Sequence, residues 1–229
     1  MHPNDETPND EHSNDGWRAR AFAPLPLDGV RVEWTAARGG GESLLLRFEN
    51  EGWTAEGSVD TGEEGRGFQY VMRLSATWHL QQMLLFRDLD EPDLWLANDG
   101  RGKWGEMNGA VRRELGGCDD VDLLLSPFTA TMGVRRLELG VGQSRDVESA
   151  TVDTETLAIE RVRLRYERID VDRWTVTRLD VYDDLFPASA TSAAENDSTI
   201  VEFAVDEFGL ALDLPGRFSR VRRTPATSS

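Results

Sequence analysis

Residues Val30–Gly57, VRVEWTAARGGGESLLLRFENEGWTAEG, carry the pattern that decides the fold. Val30, Val32 and Trp34 alternate with Arg31 and Glu33. Leu44, Leu46 and Phe48 share one parity, and so do Trp53, Ala55 and Gly57. A period of two sends successive side chains to opposite faces, so each run reads as a β-strand with an apolar side. Gly39-Gly40-Gly41 and Asn50-Glu51-Gly52 separate the runs, and both are turn chemistry of the kind that joins antiparallel neighbours.

The same period returns at Phe68, Tyr70, Met72 and Leu74, at Met83 to Phe86, and at Leu94 to Leu96. Val162, Leu164 and Tyr166 alternate with Arg161, Arg163 and Arg165 in the clearest two-faced strand of the chain. Trp174, Val176 and the segment Thr199 to Val205 continue it, while Gly62 to Gly67 and Asn98-Asp99-Gly100 supply further turns. Helical periodicity is hard to find, and Arg73 to Arg87 fits either period. Turns recur about every 8 to 14 residues, which predicts an all-β, mainly antiparallel fold: a many-stranded curved sheet or barrel. The interior of a large barrel exceeds what its own side chains fill, so an apolar cavity is expected. The seven tryptophans and nine phenylalanines suffice either to line one or to form an ordinary core.

A chain of 229 residues buries one sizeable core without needing a second domain. Residues 1–16 are polar and acidic and read as a disordered tail, 17–223 as a single domain, and 224–229 as a second tail. Pro187 to Asp197, PASATSAAEND, reads as a small-residue loop without periodicity. No apolar run approaches the roughly 20 residues of a membrane helix. The N-terminal residues lack the basic start and apolar segment of a secretory signal, and one cysteine makes neither an intrachain disulfide nor a zinc cluster. A cytoplasmic location is expected, with no cofactor and no metal.

The net charge is −17, from 42 acidic against 25 basic residues, and Lys103 is the only lysine. The acids are dispersed along the chain, a pattern expected of halophilic proteins, whose self-repulsion a salty cytoplasm screens. Nucleic acid and anionic membranes are expected to be poor partners for such a surface.

Among residues suited to chemistry, Cys118 and His79 form a nucleophile and base only if the fold joins them across 39 positions, and packed free cysteine is the plain alternative. Asp119, Asp120 and Asp122 are candidate carboxylates without the spacing of a calcium loop. On a strand, Asp120 and Asp122 share the face opposite Val121 and Leu123. Gly100-Arg101-Gly102-Lys103-Trp104-Gly105 is neither a dinucleotide nor a phosphate loop and reads as a hairpin. Arg135 and Arg136 follow the hydroxyls of Ser126, Thr129 and Thr131. They can either grip a phosphate or sugar headgroup or pair with carboxylates.

The order of motifs resembles the glycolipid-binding family of microbial proteins. The carriers are Asp99-Gly100-Arg101-Gly102-Lys103-Trp104, then Leu115-Gly116-Gly117-Cys118-Asp119-Asp120-Val121-Asp122, then Ser126 to Leu137, SPFTATMGVRRL. Arg165-Tyr166-Glu167-Arg168 resembles a later strand of the family, and Asp206 to Val221, DEFGLALDLPGRFSRV, its closing segment. Met132-Gly133 stands where the family usually has Leu-Pro, Ala130 where it has Asn, Arg165 near its usual Gln, and residues 183 to 198 form a longer insertion. The resemblance implies a barrel-like antiparallel sheet around an apolar cavity, similar to bacterial lipid and lipoprotein carriers.

The expected function is to hold an amphipathic lipid or glycolipid, with Trp104, Phe128, Thr129, Arg135, Arg136 and Tyr166 as its contacts. Cys118 is then a packing residue, and Asp122 fixes an arginine or a turn. The alternatives are a hydrolase or isomerase using Asp119, Asp122 and Arg135 in the same cavity, and a protein interaction module using a sheet edge.

Overall fold

The computed structural model describes residues 22–63, 66–87, 91–124, 126–179 and 200–226. The expected tail 1–16 and loop 187–197 lie outside the described residues.

Strands β1 (Val30–Ala36), β2 (Gly41–Glu49), β3 (Gly52–Asp60), β4 (Gly67–Ser75), β5 (Leu80–Phe86), β6 (Leu94–Asn98) and β7 (Trp104–Gly105) form an antiparallel meander. The alternating runs are these strands, and their apolar sides face inward: Val32, Leu44, Leu46, Ala55, Met72, Met83 and Leu96 are fully buried. The β2–β3 connection closes on Asn50 and Glu51, both with positive φ (51° and 63°), between paired Glu49 and Gly52. Two left-handed residues in a two-residue loop match the right-handed twist of the flanking strands. The glycine-rich segment before Trp104 is the expected hairpin, with Asp99 N donating to Lys103 O at 3.0 Å.

After a short 3-10 helix at Arg113–Leu115 come β8 (Asp120–Leu123), α1 (Pro127–Leu137), β9 (Ser144–Val152), β10 (Ile159–Arg168), β11 (Arg173–Arg178), β12 (Ile200–Ala204), β13 (Asp213–Leu214) and β14 (Phe218–Pro225). Strands β13 and β14 join the first sheet beside β1, and the second sheet runs β12-β11-β10-β9-β8. Together they make a large curved antiparallel sheet and a half-barrel, in line with the fold expected from the sequence. One pair departs from it: β8 and β9 are parallel. Parallel neighbours need a crossover, and α1 provides it. Strand β14 extends through Thr224 and Pro225, which pair with Arg31 and Val30, so it enters the stretch read as a tail.

Helix α1 is the element that periodicity does not reveal. Its sequence PFTATMGVRRL holds two threonines, a valine and a mid-helix glycine, all weak helix formers. Phe128, Thr129, Thr131, Met132, Gly133, Val134 and Leu137 are buried, so no solvent-facing stripe exists to set a 3.6-residue period. Local chemistry marks its start instead. Ser126 Oγ accepts from Phe128 N at 3.2 Å and Pro127 occupies the first turn, where its missing N–H costs nothing.

The helix lies between the sheets, and a tyrosine from each touches it or its approach. The Tyr70 ring stacks on Phe128 with centroids 6.4 Å apart, and Tyr70 itself lies over Gly57. Tyr166 lies over Gly133, where a Cβ would come within 2.4 Å of its Cζ. Tyr166 is only 5% exposed and cannot swing aside. Gly133→Ala is therefore expected to destabilise by about 1–2 kcal/mol, since overpacking outweighs the roughly 1 kcal/mol gain in helix propensity. Urea unfolding checks it, and the same substitution in a Tyr166→Leu background is expected to stabilise.

Candidate functional site

The residues singled out in the sequence occupy two regions around α1. Along β8, Asp122 Oδ1 lies 2.8 Å from Thr129 Oγ1, and shares that hydroxyl's single proton with Ser126 O at 3.0 Å. Asp122 thus fixes the helix's first turn, in line with its expected turn-holding role. Asp120 forms an ion pair with Arg136, and both side chains are under a tenth exposed. That face of β8 is arginine-paired and buried. Cys118 packs inside at 1% exposure, and burial pushes its thiol up to about 11, far from nucleophile chemistry. His79 instead meets Thr77 Oγ1 through Nδ1 at 3.1 Å.

Trp104 is buried and donates from Nε1 to Cys118 O at 3.0 Å. Phe128 stacks on Tyr70, and Tyr166 seats on Gly133. Burial raises the Tyr166 hydroxyl well above its ordinary range, with the Asp120 and Asp122 charges adding to the shift. Among the described residues Asp119, Asp122 and Arg135 share no hydrogen bond or ion pair. Among the described residues no group of three or more His, Cys, Asp or Glu side chains is placed to hold a metal ion.

Arg135 belongs to the second region, a layer of rings and guanidiniums at one end of the half-barrel. Its guanidinium carbon lies 5.0 Å from the Trp78 ring centroid and 5.7 Å from that of Phe22. Arg168 lies 5.3 Å from the same Phe22 ring and 5.6 Å from Trp174. Phe22 also stacks on Trp174 with centroids 6.4 Å apart, and Trp78 stacks on Trp53 at 5.5 Å. The order through space is Trp53, Trp78, Arg135, Phe22, Arg168, with Trp174 beside the last two. Cation–π contacts of this kind contribute about 0.5–2 kcal/mol each, more as water is excluded.

Each member is placed by local chemistry. Trp78 sits in the β4–β5 turn, closed by Ser75 N to His79 O at 2.9 Å and Trp78 N to Ser75 O at 3.0 Å. Its φ of +67° is a strained conformation for an aromatic residue, costing about 1–3 kcal/mol. Arg168 ends β10 on the inward parity of Val162, Leu164 and Tyr166, and Nη1 donates to Leu139 O at 3.0 Å. The turn 206–210 walls the layer: Asp206 Oδ1 accepts from Phe208 N and Leu210 N at 2.9 and 3.0 Å, and Oδ2 accepts from Arg220 and Arg223 at 2.5 and 2.6 Å. Gly209, at φ +76°, leaves room where a Cβ would meet Phe22 and Arg135 at 3.0–3.1 Å.

A third polar group lies under the start of α1. Tyr70 donates to Glu42 Oε1 at 2.5 Å and stands 3.5 Å from Ser126 Oγ, and Glu42 Oε2 has no partner. Glu42 is 3% exposed, and burial raises its carboxyl to about 7 against the opposing hydrogen bonds from Tyr70 and Ser126. Sequence reasoning missed Phe22, Trp53, Trp78, Arg168, Trp174 and the Glu42–Tyr70 pair. Parity held a signal for two of them. Glu42 shares its side of β2 with Leu44 and Leu46, and Arg168 shares its side of β10 with Leu164 and Tyr166. A separate groove of about 200 Å³ opens to solvent between Ser58, Phe68, Gln69, Phe86 and Arg87.

Such a half-barrel, with a helix between its sheets and a layer of rings and arginines at one end, defines the architectural class. Residues 31–220 match the family described as "Putative glycolipid-binding", and the chain belongs to that family. It is also similar to a solved structure, a DUF1089 family protein from Pseudomonas aeruginosa, at 28% identity and a TM-score of 0.61. The match covers 79% of this chain and 92% of that one. No curated protein matches the chain. Among the described residues no helix is long and apolar enough to cross a membrane.

Proposed function

We propose that the protein binds an amphipathic lipid or glycolipid, with the headgroup at the Arg135 end of the half-barrel and the tail against the buried rings. The observation that carries this reading is the Arg135 guanidinium 5.0 Å from the Trp78 ring centroid, where among the described residues it forms no ion pair. A guanidinium gives an anion or sugar hydroxyl a planar set of donors, and flanking rings offer flat faces to a sugar. Membership of the glycolipid-binding family supports the same ligand class.

In this reading Arg135 meets the headgroup, while Phe128 and Tyr166 face the tail. Trp104, Thr129 and Arg136 contribute to the walls, held by Cys118, Asp122 and Asp120. The reading is tested by solvent extraction and mass spectrometry of protein purified at high salt from its own cells, beside an unrelated acidic protein. A stoichiometric lipid bearing a glycosyl or phosphate headgroup is the expected result. Nothing above the control overturns it.

The acidic surface goes with a salt-rich cytoplasm. On that reading the melting temperature rises steadily as KCl is raised from about 0.1 M to molar levels, because the Debye length falls from about 10 Å to 3 Å. A flat or falling curve rejects it.

Glu42 favours a second reading, an enzyme acting on an apolar molecule in the same interior. A carboxyl titrating near neutrality beside a tyrosine has the properties of a proton donor. This reading predicts that Glu42→Gln leaves ligand binding intact and blocks conversion of the bound molecule, read as the mass of the extracted lipid. An unchanged mass rejects it.

A further inference from the structure

We propose that the slot between Arg135 and Arg168 is a headgroup site filled by the chain's own Phe22 ring, and that its ligand is an anionic glycosyl headgroup, chemically a sugar phosphate. This rests on the lipid-binding reading above and adds the headgroup's chemistry and the group it must displace.

Phe22 has the contacts of an occupant more than those of a strand residue. Two guanidinium carbons lie 5.7 and 5.3 Å from its ring centroid, the ring stacks on Trp174, and a Cβ on Gly209 would crowd it at 3.1 Å. The chain that delivers it is anchored in the core by Leu25, at 4% exposure, and not by strand pairing. Residues 22–26 pair with no strand, Pro24 and Pro26 have no N–H to give, Ala23 N donates to Glu207 O at 2.7 Å, and Pro26 O accepts from Gly29 N at 3.0 Å. Withdrawing the Phe22 ring with Leu25 left in the core therefore breaks no strand pairing, only its contacts to Trp174 and the two guanidiniums.

A phenyl ring leaves the slot's polar demands unmet. Arg135 donates to the carbonyls of Phe208 at 2.9 Å and Ala23 at 3.5 Å, and its Nε has no partner. Among the described residues Arg135 forms no ion pair, in a chain with 42 carboxylates. Trp174 is fully buried, and its Nε1 also has no partner. A buried donor left without an acceptor is costly, and a benzene ring answers it poorly. A sugar phosphate answers the Arg135 demand and keeps the stacking on Trp174. Its apolar C–H face replaces the phenyl ring over Trp174, its hydroxyls accept from guanidinium N–H groups, and its phosphate pairs with Arg135 through charge-assisted bonds.

Competition by Phe22 lowers the apparent affinity by the fraction of time the slot is open, so removing the ring raises it. The test titrates full-length protein with glucose 1-phosphate, reading tryptophan emission, and uses glucose and inorganic phosphate as separate probes. Phe22→Ala is expected to bind glucose 1-phosphate about tenfold or more tightly than wild type. Glucose and phosphate alone are expected to bind weakly, and adding Arg135→Gln to remove the gain. Thermal melts establish that each variant is folded, and Phe22→Leu, which keeps apolar volume but loses the ring, is expected to fall between the two.

Equal affinity in folded wild type and Phe22→Ala overturns the proposal, as does a gain that survives Arg135→Gln. Lipid extraction from wild type separates this from the parent reading. Lipid present with no effect of Phe22→Ala rejects the slot and leaves the carrier standing. Lipid absent with the gain present keeps the sugar-phosphate slot and rejects the carrier.

Discussion

Asp120→Ala is expected to cost about 3–5 kcal/mol, because it leaves the Arg136 guanidinium inside the protein without its counter-charge. Both side chains of this pair are under a tenth exposed, so water cannot replace the lost carboxylate. Exposed pairs such as Arg163–Asp146, by contrast, contribute about 0–1 kcal/mol. The pair also ties the last turn of α1 to the first residue of β8, while Asp122–Thr129 ties the opposite end of the helix to the same strand. Losing it frees the Arg135 end of α1.

For a chain of this length the loss corresponds to about 10 °C or more in melting temperature. The double variant Asp120→Leu with Arg136→Met decides whether charge or packing is responsible. Replacing both ions with apolar side chains of similar volume is expected to restore most of the stability, because neither charge is then buried. A double variant as unstable as the single one rejects this account, and so does an Asp120→Ala protein that melts with wild type.

How much of this was legible in the sequence depends on how far each feature reaches along the chain. The strands of the first sheet were legible because alternation is local: Leu44 and Leu46 point inward whatever lies opposite them. Helix α1 was not, since its burial on all sides erases the stripe that marks a helix and its composition favours other states. Its start was encoded in Ser126-Pro127, a cap followed by a first-turn proline.

The candidate site divides the same way. Arg135 stood out by its hydroxyl-rich approach, and Asp120, Asp122 and Cys118 by their clustering. The layer that gives Arg135 its environment draws Phe22 from before β1, Trp78 from the β4–β5 turn, Arg168 from β10 and Trp174 from β11. These residues span some 150 positions, and no periodicity encodes contacts at that range. The charged residues on inward parity, Glu42 and Arg168, were the accessible clue, because a strand places a charge among core residues only when something there answers it.

Glu42 gives the second large effect, a pH dependence whose sign is fixed by its burial. Its carboxyl titrates near 7 in the folded protein against 4.5 when exposed, so the folded state holds the proton more tightly. The stability linked to that proton is fully present below about pH 4.5 and is lost progressively as pH rises to about 7. Above that it stays lost, at a constant deficit of about 3 kcal/mol. Carboxylates held low by partners, such as Asp146 beside Arg165 and Glu207 beside Arg223, act oppositely and lose stability as pH falls. The measurement must therefore be a difference between two proteins that share them.

Glu42→Gln keeps an oxygen for the Tyr70 hydroxyl and cannot ionise. Its stability relative to wild type, from urea unfolding at half-unit steps, is expected to be near zero at pH 4.5. It should climb between pH 5 and 7 and level off with the variant on the order of 3 kcal/mol more stable. Two parallel curves across that window would show that Glu42 is solvated or paired as an ion. That outcome would remove the proton-donor reading along with the stability claim, because both depend on a carboxyl that burial keeps neutral beside Tyr70.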